Sequence, residues 1–234
     1  MLDQYFLINQ AVIERAVKYG EVGSSDTVLE IGPGLGFLTK EIASHAGKVI
    51  AVEKDKRLKP VLEEELKDYS NVEVVFADFL KLDKTLEFNK VVSSIPFSLS
   101  SEITFKLLDY DFDLALLFYQ KEFGEKMVAK PGSKNYGRLS VMVQYYYEAE
   151  LKEVVPRTNF YPQPKTDSVI VCLKKKPIER DKVFDVFIRE LFRYKNKKVG
   201  NAFEIAFGKK LDDDRKVFTL SLEDLKELYE KLKT

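Results

Sequence analysis

The chain has 234 residues, enough for one large domain or for one domain with a small appendage. Its 38 Lys+Arg residues balance 38 Asp+Glu, so overall charge does not advertise a nucleic-acid partner, and any such binding must come from local basic patches. With 45% hydrophobic and 32% charged residues, the composition is that of a folded globular chain.

In chain order, the first half alternates short apolar runs with helical patterns. Thr27–Ile31 reads as a buried strand, 36–46 as a helix, 48–52 as a strand and 57–66 as a helix. Strands follow at 72–76 and 90–95, then a helix near 101–108, a strand at 114–118 and a helix near 122–129. This alternation predicts a parallel sheet with helices on both faces. After Gly137 the pattern changes. Leu139–Tyr147 and Ser168–Leu173 read as two strands joined by a proline-spaced loop, Phe160-Tyr-Pro-Gln-Pro-Lys165, which suggests an antiparallel pair at a sheet edge. From about Pro177 only helical patterns remain, at 183–193, 197–206 and 222–232, with Ser221 and Asp224 as a helix start. The expected division is 1–176 and 177–234.

One cysteine, Cys172, and one histidine, His45, allow neither an intramolecular disulfide nor a Cys/His metal cluster, so no metal is expected. Cys172 reads as a small apolar strand residue and His45 as part of a helix end. No apolar run reaches the length of a membrane span. The N-terminal MLDQYFLINQ lacks the pattern of a signal peptide, which makes the cytoplasm the expected location. Nothing in the pattern calls for an obligate dimer, so a monomer is expected.

Glu30-Ile-Gly-Pro-Gly-Leu-Gly36 joins the first strand to the first helix. Glycines at Gly32, Gly34 and Gly36 permit a tight turn and close backbone approach to a ligand. The spacing differs from the Gly-x-Gly-x-x-Gly that seats a dinucleotide pyrophosphate. Glu53 closes the second strand, where a carboxylate can accept two ribose hydroxyls. Asp78 follows the third strand, where it can accept from an adenine amino group. Three strand-end acids around one crevice describe a nucleoside pocket and resemble the S-adenosylmethionine site of class I methyltransferases.

Ser94-Ile95-Pro96-Phe97, at the end of the fourth strand, resembles the Asn-(Leu/Ile)-Pro-(Tyr/Phe) corner of amino-group methyltransferases, with serine at the first position. The lone pair of adenine N6 is delocalised into the ring. Two acceptors on the amino hydrogens draw that nitrogen toward tetrahedral geometry, and a stacked aromatic ring aligns the base. Here the Ser94 hydroxyl, the Ile95 and Pro96 carbonyls and the Phe97 ring can supply these parts.

With these motifs the chain resembles the ribosomal RNA adenine dimethyltransferase family (KsgA type), nearly end to end. Gln4-Tyr-Phe-Leu7 is similar to the family's N-terminal Gly-Gln-x-Phe-Leu, with Asp3 in place of the glycine. Tyr119-Gln-Lys-Glu-Phe123, Tyr136-Gly-Arg-Leu-Ser-Val141 and Phe160-Tyr-Pro-Gln-Pro-Lys-Thr-Asp-Ser168 resemble family segments, the last with Thr166 in place of the usual valine. The resemblance implies an α/β class I methyltransferase fold, a Rossmann-like mixed seven-stranded sheet with a small C-terminal helical domain. It implies S-adenosylmethionine as donor, held by Gln4, Leu7, Glu30, Gly32, Gly34, Gly36, Glu53 and Asp78, with Lys54, Phe79 and Ser94 beside them. It implies dimethylation of two adjacent adenines near the 3′ end of small-subunit rRNA in a late pre-small-subunit particle. Phe160 is then expected as the opposite wall of the slot for a flipped base. Arg193, Lys195, Lys197 and Lys198 are expected to bind RNA phosphates. Lys174–Lys176 reads as a strand end and Tyr145–Tyr147 as alternating strand positions. Two other readings stay open: a catalytically weakened RNA-binding assembly or transcription factor of the same fold, and a methyltransferase acting on another RNA.

Overall fold

The computed structural model describes residues 4–83 and 86–233, so Asp3 lies outside the described residues. In chain order the strands are β1 (Phe6–Leu7), β2 (Thr27–Ile31), β3 (Lys48–Glu53), β4 (Val72–Phe76), β5 (Lys90–Ser93), β6 (Leu114–Gln120), β7 (Tyr147–Val155), β8 (Phe160–Tyr161) and β9 (Ser168–Lys175). The helices are α1 (Gln10–Tyr19), α2 (Phe37–Ala43), α3 (Lys59–Glu65), α4 (Ser100–Lys106), α5 (Lys121–Met127), α6 (Arg138–Tyr146), α7 (Lys182–Phe192), α8 (Val199–Phe207) and α9 (Leu222–Lys233).

Seven strands form one mixed sheet in the order β4-β3-β2-β5-β6-β9-β7. Strands β4, β3, β2, β5 and β6 run parallel, and β9 pairs antiparallel with β6. This is the expected class I methyltransferase sheet. Its central strands are apolar runs because both faces are covered. Val28, Leu29, Val49, Ala51, Val91, Leu116 and Leu117 are all fully buried. The strand order reverses between β2 and β5, so the chain leaves these neighbours in opposite directions. A crevice at the carboxyl ends of such a pair is where open α/β sheets bind ligands. A separate two-stranded ribbon pairs β1 with β8, opposing Leu7 to Phe160.

Helix starts follow local chemistry. Asn9 Oδ1 accepts the Val12 N–H ahead of α1, a helix that the sequence reading did not anticipate. Asp181 Oδ1 caps the Val183 and Phe184 N–H groups of α7. Ser221 and Asp224 exchange hydrogen bonds at the start of α9, as their spacing predicts.

The segment 139–147, expected as a strand, is instead helix α6, and the strand β7 starts only at Tyr147. Valine and tyrosine there suggest β structure, but tertiary packing decides. Ser140, Val143 and Tyr146 lie buried at helical spacing. Ser140 Oγ accepts the Gly137 N–H and donates to the Lys126 carbonyl, while Gln144 donates to the Met127 and Ala129 carbonyls. These bonds hold the helix to the last turn of α5 and the chain just after it. Tyr145 and Tyr146 therefore stand on a helix end rather than at alternating strand positions.

The chain divides into two compact units: residues up to Gly124 with Glu150–Lys175, and Glu125–Ala149 with Lys176 onward. Residues 125–149 thus pack with the C-terminal helices, a different division from 1–176 and 177–234. The first unit holds most of the sheet. The second is built on an aromatic core, with Phe184 against Tyr229 and Phe187 against Phe203. Buried Asp185 receives the Tyr146 hydroxyl at 2.8 Å and Arg180 Nε at 2.9 Å.

Candidate active site

The β2–α2 and β5–α4 turns lie side by side at the reversal of strand order. The β2–β5 ladder is short, and Ser93 extends the contact: its hydroxyl accepts the Ile31 N–H and donates to the Ile31 carbonyl. This pins the glycine turn to the Ser94–Phe97 corner.

Gly32, Gly34 and Gly36 all have left-handed backbones, with φ of 77°, 59° and 82°. Gly34 carries a further requirement, because a Cβ there would fall 2.6 Å from the Phe6 ring. Its N–H instead points to Glu53 Oε2 at 3.3 Å, while Glu53 Oε1 accepts the Asp55 N–H at 2.7 Å. Burial pushes the Glu53 carboxyl up, and these two N–H groups partly offset it. Gly36 caps α2 and shapes the turn. Glu30 is 1% exposed and its Oε2 has no hydrogen-bond partner among the described residues. Burial pushes its carboxyl up to about 8, so it is mainly neutral at pH 7.

A cleft of about 660 Å³ opens beside the carboxyl ends of β2, β3 and β4. That volume lies within the usual range of small-molecule sites, roughly 300–1,000 Å³. Gln4, Glu53, Lys54, Asp55, Arg57 and Asp78 give it a polar side, and Ile31, Phe79, Leu99 and Ile103 an apolar one. Asp78 pairs with Lys54 at 2.9 Å and accepts the Leu80 N–H. Burial acts to raise the Asp78 carboxyl, but Lys54 and that N–H outweigh it and hold the group below its ordinary value. Phe79 is buried and stacks on Tyr110.

Ser94 is half-buried and borders two small cavities, about 60 and 30 Å³, which it shares with Tyr5, Phe6, Gly32 and Gly34. Glu30 and Leu7 reach the second of them. The Pro96 carbonyl already accepts the Leu99 N–H at 3.0 Å, so of the two expected backbone acceptors only that of Ile95 is without a hydrogen bond among the described residues. Phe97 is 7% exposed. Phe160 meets it edge-on, at 6.3 Å and 67°, and meets Phe118 edge-on as well. In this conformation Phe160 is therefore not a parallel wall.

The ring parallel to Phe97 is Tyr5, at 5.6 Å and 28°. Sequence reasoning gave roles to Gln4 and Leu7 and passed over Tyr5 and Phe6 between them. The whole segment straps the site: Gln4 Nε2 donates to Asp55, Tyr5 covers Phe97, Phe6 covers Gly34 and Leu7 is buried.

The four expected RNA-binding residues lie in the second unit, at and after the end of α7. Arg193 pairs with Glu190 and Lys198 with Asp214, while Lys195 Nζ donates to the Tyr136 carbonyl. Lys197 is exposed. Lys174 pairs with Glu21 and Lys175 with Asp111, and Lys176 Nζ donates to the Gln144 carbonyl; Lys174 and Lys175 are the last two residues of β9, in keeping with a strand end. Cys172 is buried on β9, and His45 bonds the Glu41 carbonyl. Among the described residues no group of three or more His, Cys, Asp or Glu could hold a metal ion, and no helix is long and apolar enough to cross a membrane.

Comparison with known proteins bears on this geometry. A family model described as "Ribosomal RNA adenine dimethylase" matches residues 1–230. A relative from Thermococcus sibiricus, named "Probable ribosomal RNA small subunit methyltransferase A", is 45% identical over 250 residues, covering 99% of this chain and 91% of that protein. A protein of the same name from Methanopyrus kandleri is 47% identical, covering 86% of this chain and 74% of its own length. Among solved structures, a dimethyladenosine transferase from Plasmodium falciparum superposes with TM-score 0.88 at 27% identity, over 97% of both chains. The 23S rRNA methyltransferase ErmE gives 0.73 at 29% identity, over 98% of this chain and all of that one. The match runs through the strap, the glycine turn, the Ser94–Phe97 corner and the C-terminal helices alike, and the chain belongs to the ribosomal RNA adenine dimethylase family.

Proposed function

We propose that this chain, an S-adenosylmethionine-dependent rRNA adenine dimethyltransferase, methylates N6 of two adjacent adenines near the 3′ end of small-subunit rRNA in a late assembly particle. The observation that carries this reading is the convergence, at one reversal of strand order, of a nucleoside-sized cleft and an acceptor-plus-aromatic corner. The cleft residues fit the donor. Glu53 and Asp78 line the cleft, and Glu30, whose buried Oε2 has no hydrogen-bond partner among the described residues, borders the small cavity beside Ser94. S-adenosylmethionine supplies an electrophilic methyl group on a sulfonium sulfur.

In this reading the protein's own residues bind and orient. Glu53 accepts the ribose hydroxyls from a carboxylate already fixed by two N–H groups. Asp78 exchanges Lys54 for an adenine amino group. At the corner, the Ser94 hydroxyl and the Ile95 carbonyl accept the two amino hydrogens of the target base, drawing its lone pair out of the ring. Phe97 lies flat on that base and holds N6 in line with the methyl group. Serine reaches less far than asparagine, so one acceptor is weaker than in the Asn-led corner. Arg193, Lys195, Lys197 and Lys198 hold RNA phosphates, and the helical unit serves as the RNA-binding part. Work on ribosomal subunits suits a cytoplasmic monomer.

The 29% identity to ErmE keeps a large-subunit target as a second reading, and the 45% relative named for the small subunit favours the first. Labelled S-adenosylmethionine with purified, unmodified small and large subunits tests both. N6,N6-dimethyladenosine in the small-subunit digest is the expected result. Label on the large subunit alone, or tight binding without label, contradicts it.

A further inference from the structure

Phe97 is the stacking platform of the proposed function, on which this inference rests, yet that platform is covered. Tyr5 lies nearly parallel to it, 5.6 Å between centroids, the separation of an offset-stacked pair. Tyr5 also lines both small cavities bordered by Ser94, so it stands on the side of the corner where the acceptor lies. With Phe97 only 7% exposed, a base can lie on it only if a neighbouring group moves. Phe160 is the poorer candidate to move. It is 1% exposed, wedged edge-on between Phe97 and Phe118, and paired through β8. Tyr5 is half-buried and lies just before β1, outside the two-stranded ribbon that includes Phe160.

We propose that Tyr5 is a placeholder for the target adenine: its ring occupies the stacking face of Phe97 in the RNA-free protein and is displaced when the flipped base enters. Tyr5 keeps a flat, apolar slot formed while no base fills it, and it competes with the base for the same ring. An aromatic pair of this geometry is worth roughly a two- to tenfold change in an equilibrium. Base entry is weakened by about that factor. Gln4, the preceding residue, lines the donor cleft, so the strap that yields to the base also touches the donor site.

The test is KM and single-turnover rate on unmodified small subunits for the unaltered protein, Tyr5→Ala and Tyr5→Phe, with S-adenosylhomocysteine affinity measured separately by calorimetry. Tyr5→Ala is expected to lower KM about two- to tenfold, and Tyr5→Phe, which keeps the ring, to return it toward the wild-type value. A KM that rises in Tyr5→Ala, as for a residue that clamps the base, or that does not move, overturns the proposal. Should Tyr5→Ala fail to fold, Tyr5→Trp gives the chain its sole tryptophan. Its emission should shift to longer wavelength when a small-subunit 3′-terminal RNA saturates the protein, and an unmoved or blue-shifted emission overturns the proposal. Absence of methyl transfer by the unaltered protein removes the function reading and this proposal with it. Transfer with KM unmoved by Tyr5→Ala removes this proposal alone.

Discussion

Replacing Glu30 by glutamine should stabilise the ligand-free protein, and increasingly so as pH rises. Glu30 sits at 1% exposure with an unpartnered Oε2, and burial pushes its carboxyl from 4.5 up to about 8. The unfolded chain therefore releases this proton before the folded chain does. Below pH 4.5 the group costs nothing. Between that value and about 8 the folded state loses about 1.4 kcal/mol of stability for each pH unit, because only the unfolded state is ionised. From pH 5.5 to 7.5 this amounts to roughly 3 kcal/mol. Glutamine keeps the shape of the protonated carboxyl and cannot titrate, so the loss vanishes in Glu30→Gln, and contributions from groups not coupled to Glu30 cancel in the difference. For a chain of this length the gap in Tm between variant and parent should widen by about 6–12 °C over that range. Differential scanning calorimetry at pH 5.5, 6.5 and 7.5 reads it directly. A gap that stays constant with pH means that Glu30 is ionised in the folded state, and it refutes the buried, neutral carboxyl.

Further outcomes follow from the corner and the cleft. Ser94→Asn should raise the methylation rate, by up to about a hundredfold if it restores one transition-state hydrogen bond; a variant that folds and binds donor but has lost activity contradicts the role given to Ser94. Phe97→Ala should lower single-turnover methylation roughly ten- to a hundredfold through lost base stacking, with S-adenosylhomocysteine affinity little changed. Glu53→Gln should weaken S-adenosylhomocysteine about ten- to a hundredfold in calorimetry, since hydrogen bonds to a charged group contribute most; an unchanged affinity removes Glu53 from the donor site.

The sheet was legible because strands covered on both faces must be continuous apolar runs, as in Thr27–Ile31 and Leu114–Phe118. The glycine turn, Glu53 and Asp78 were legible for a related reason: parallel strands bring their carboxyl ends to one edge, so acids that end successive strands become neighbours. Helix α6 was not, because valine and tyrosine favour a strand locally and the bonds from Ser140 and Gln144 that hold the helix are tertiary. The placement of 125–149 with the C-terminal helices was hidden for the same reason. Tyr5 was overlooked because nothing in Gln4-Tyr-Phe-Leu7 announces a partner as distant in sequence as Phe97. The engagement of the Pro96 carbonyl by Leu99 likewise depends on how the chain turns after the proline, which the tetrapeptide alone does not specify.

The central claim is that the cleft beside β2, β3 and β4 holds the methyl donor next to the Ser94–Phe97 corner. A crystal structure with S-adenosylhomocysteine measures this most directly. The account predicts ribose hydroxyls on Glu53, the adenine amino group on Asp78 with Lys54 displaced, and the sulfur facing Ser94. A ligand bound elsewhere, or a cleft in which Lys54 still pairs with Asp78 at saturating ligand, would contradict it.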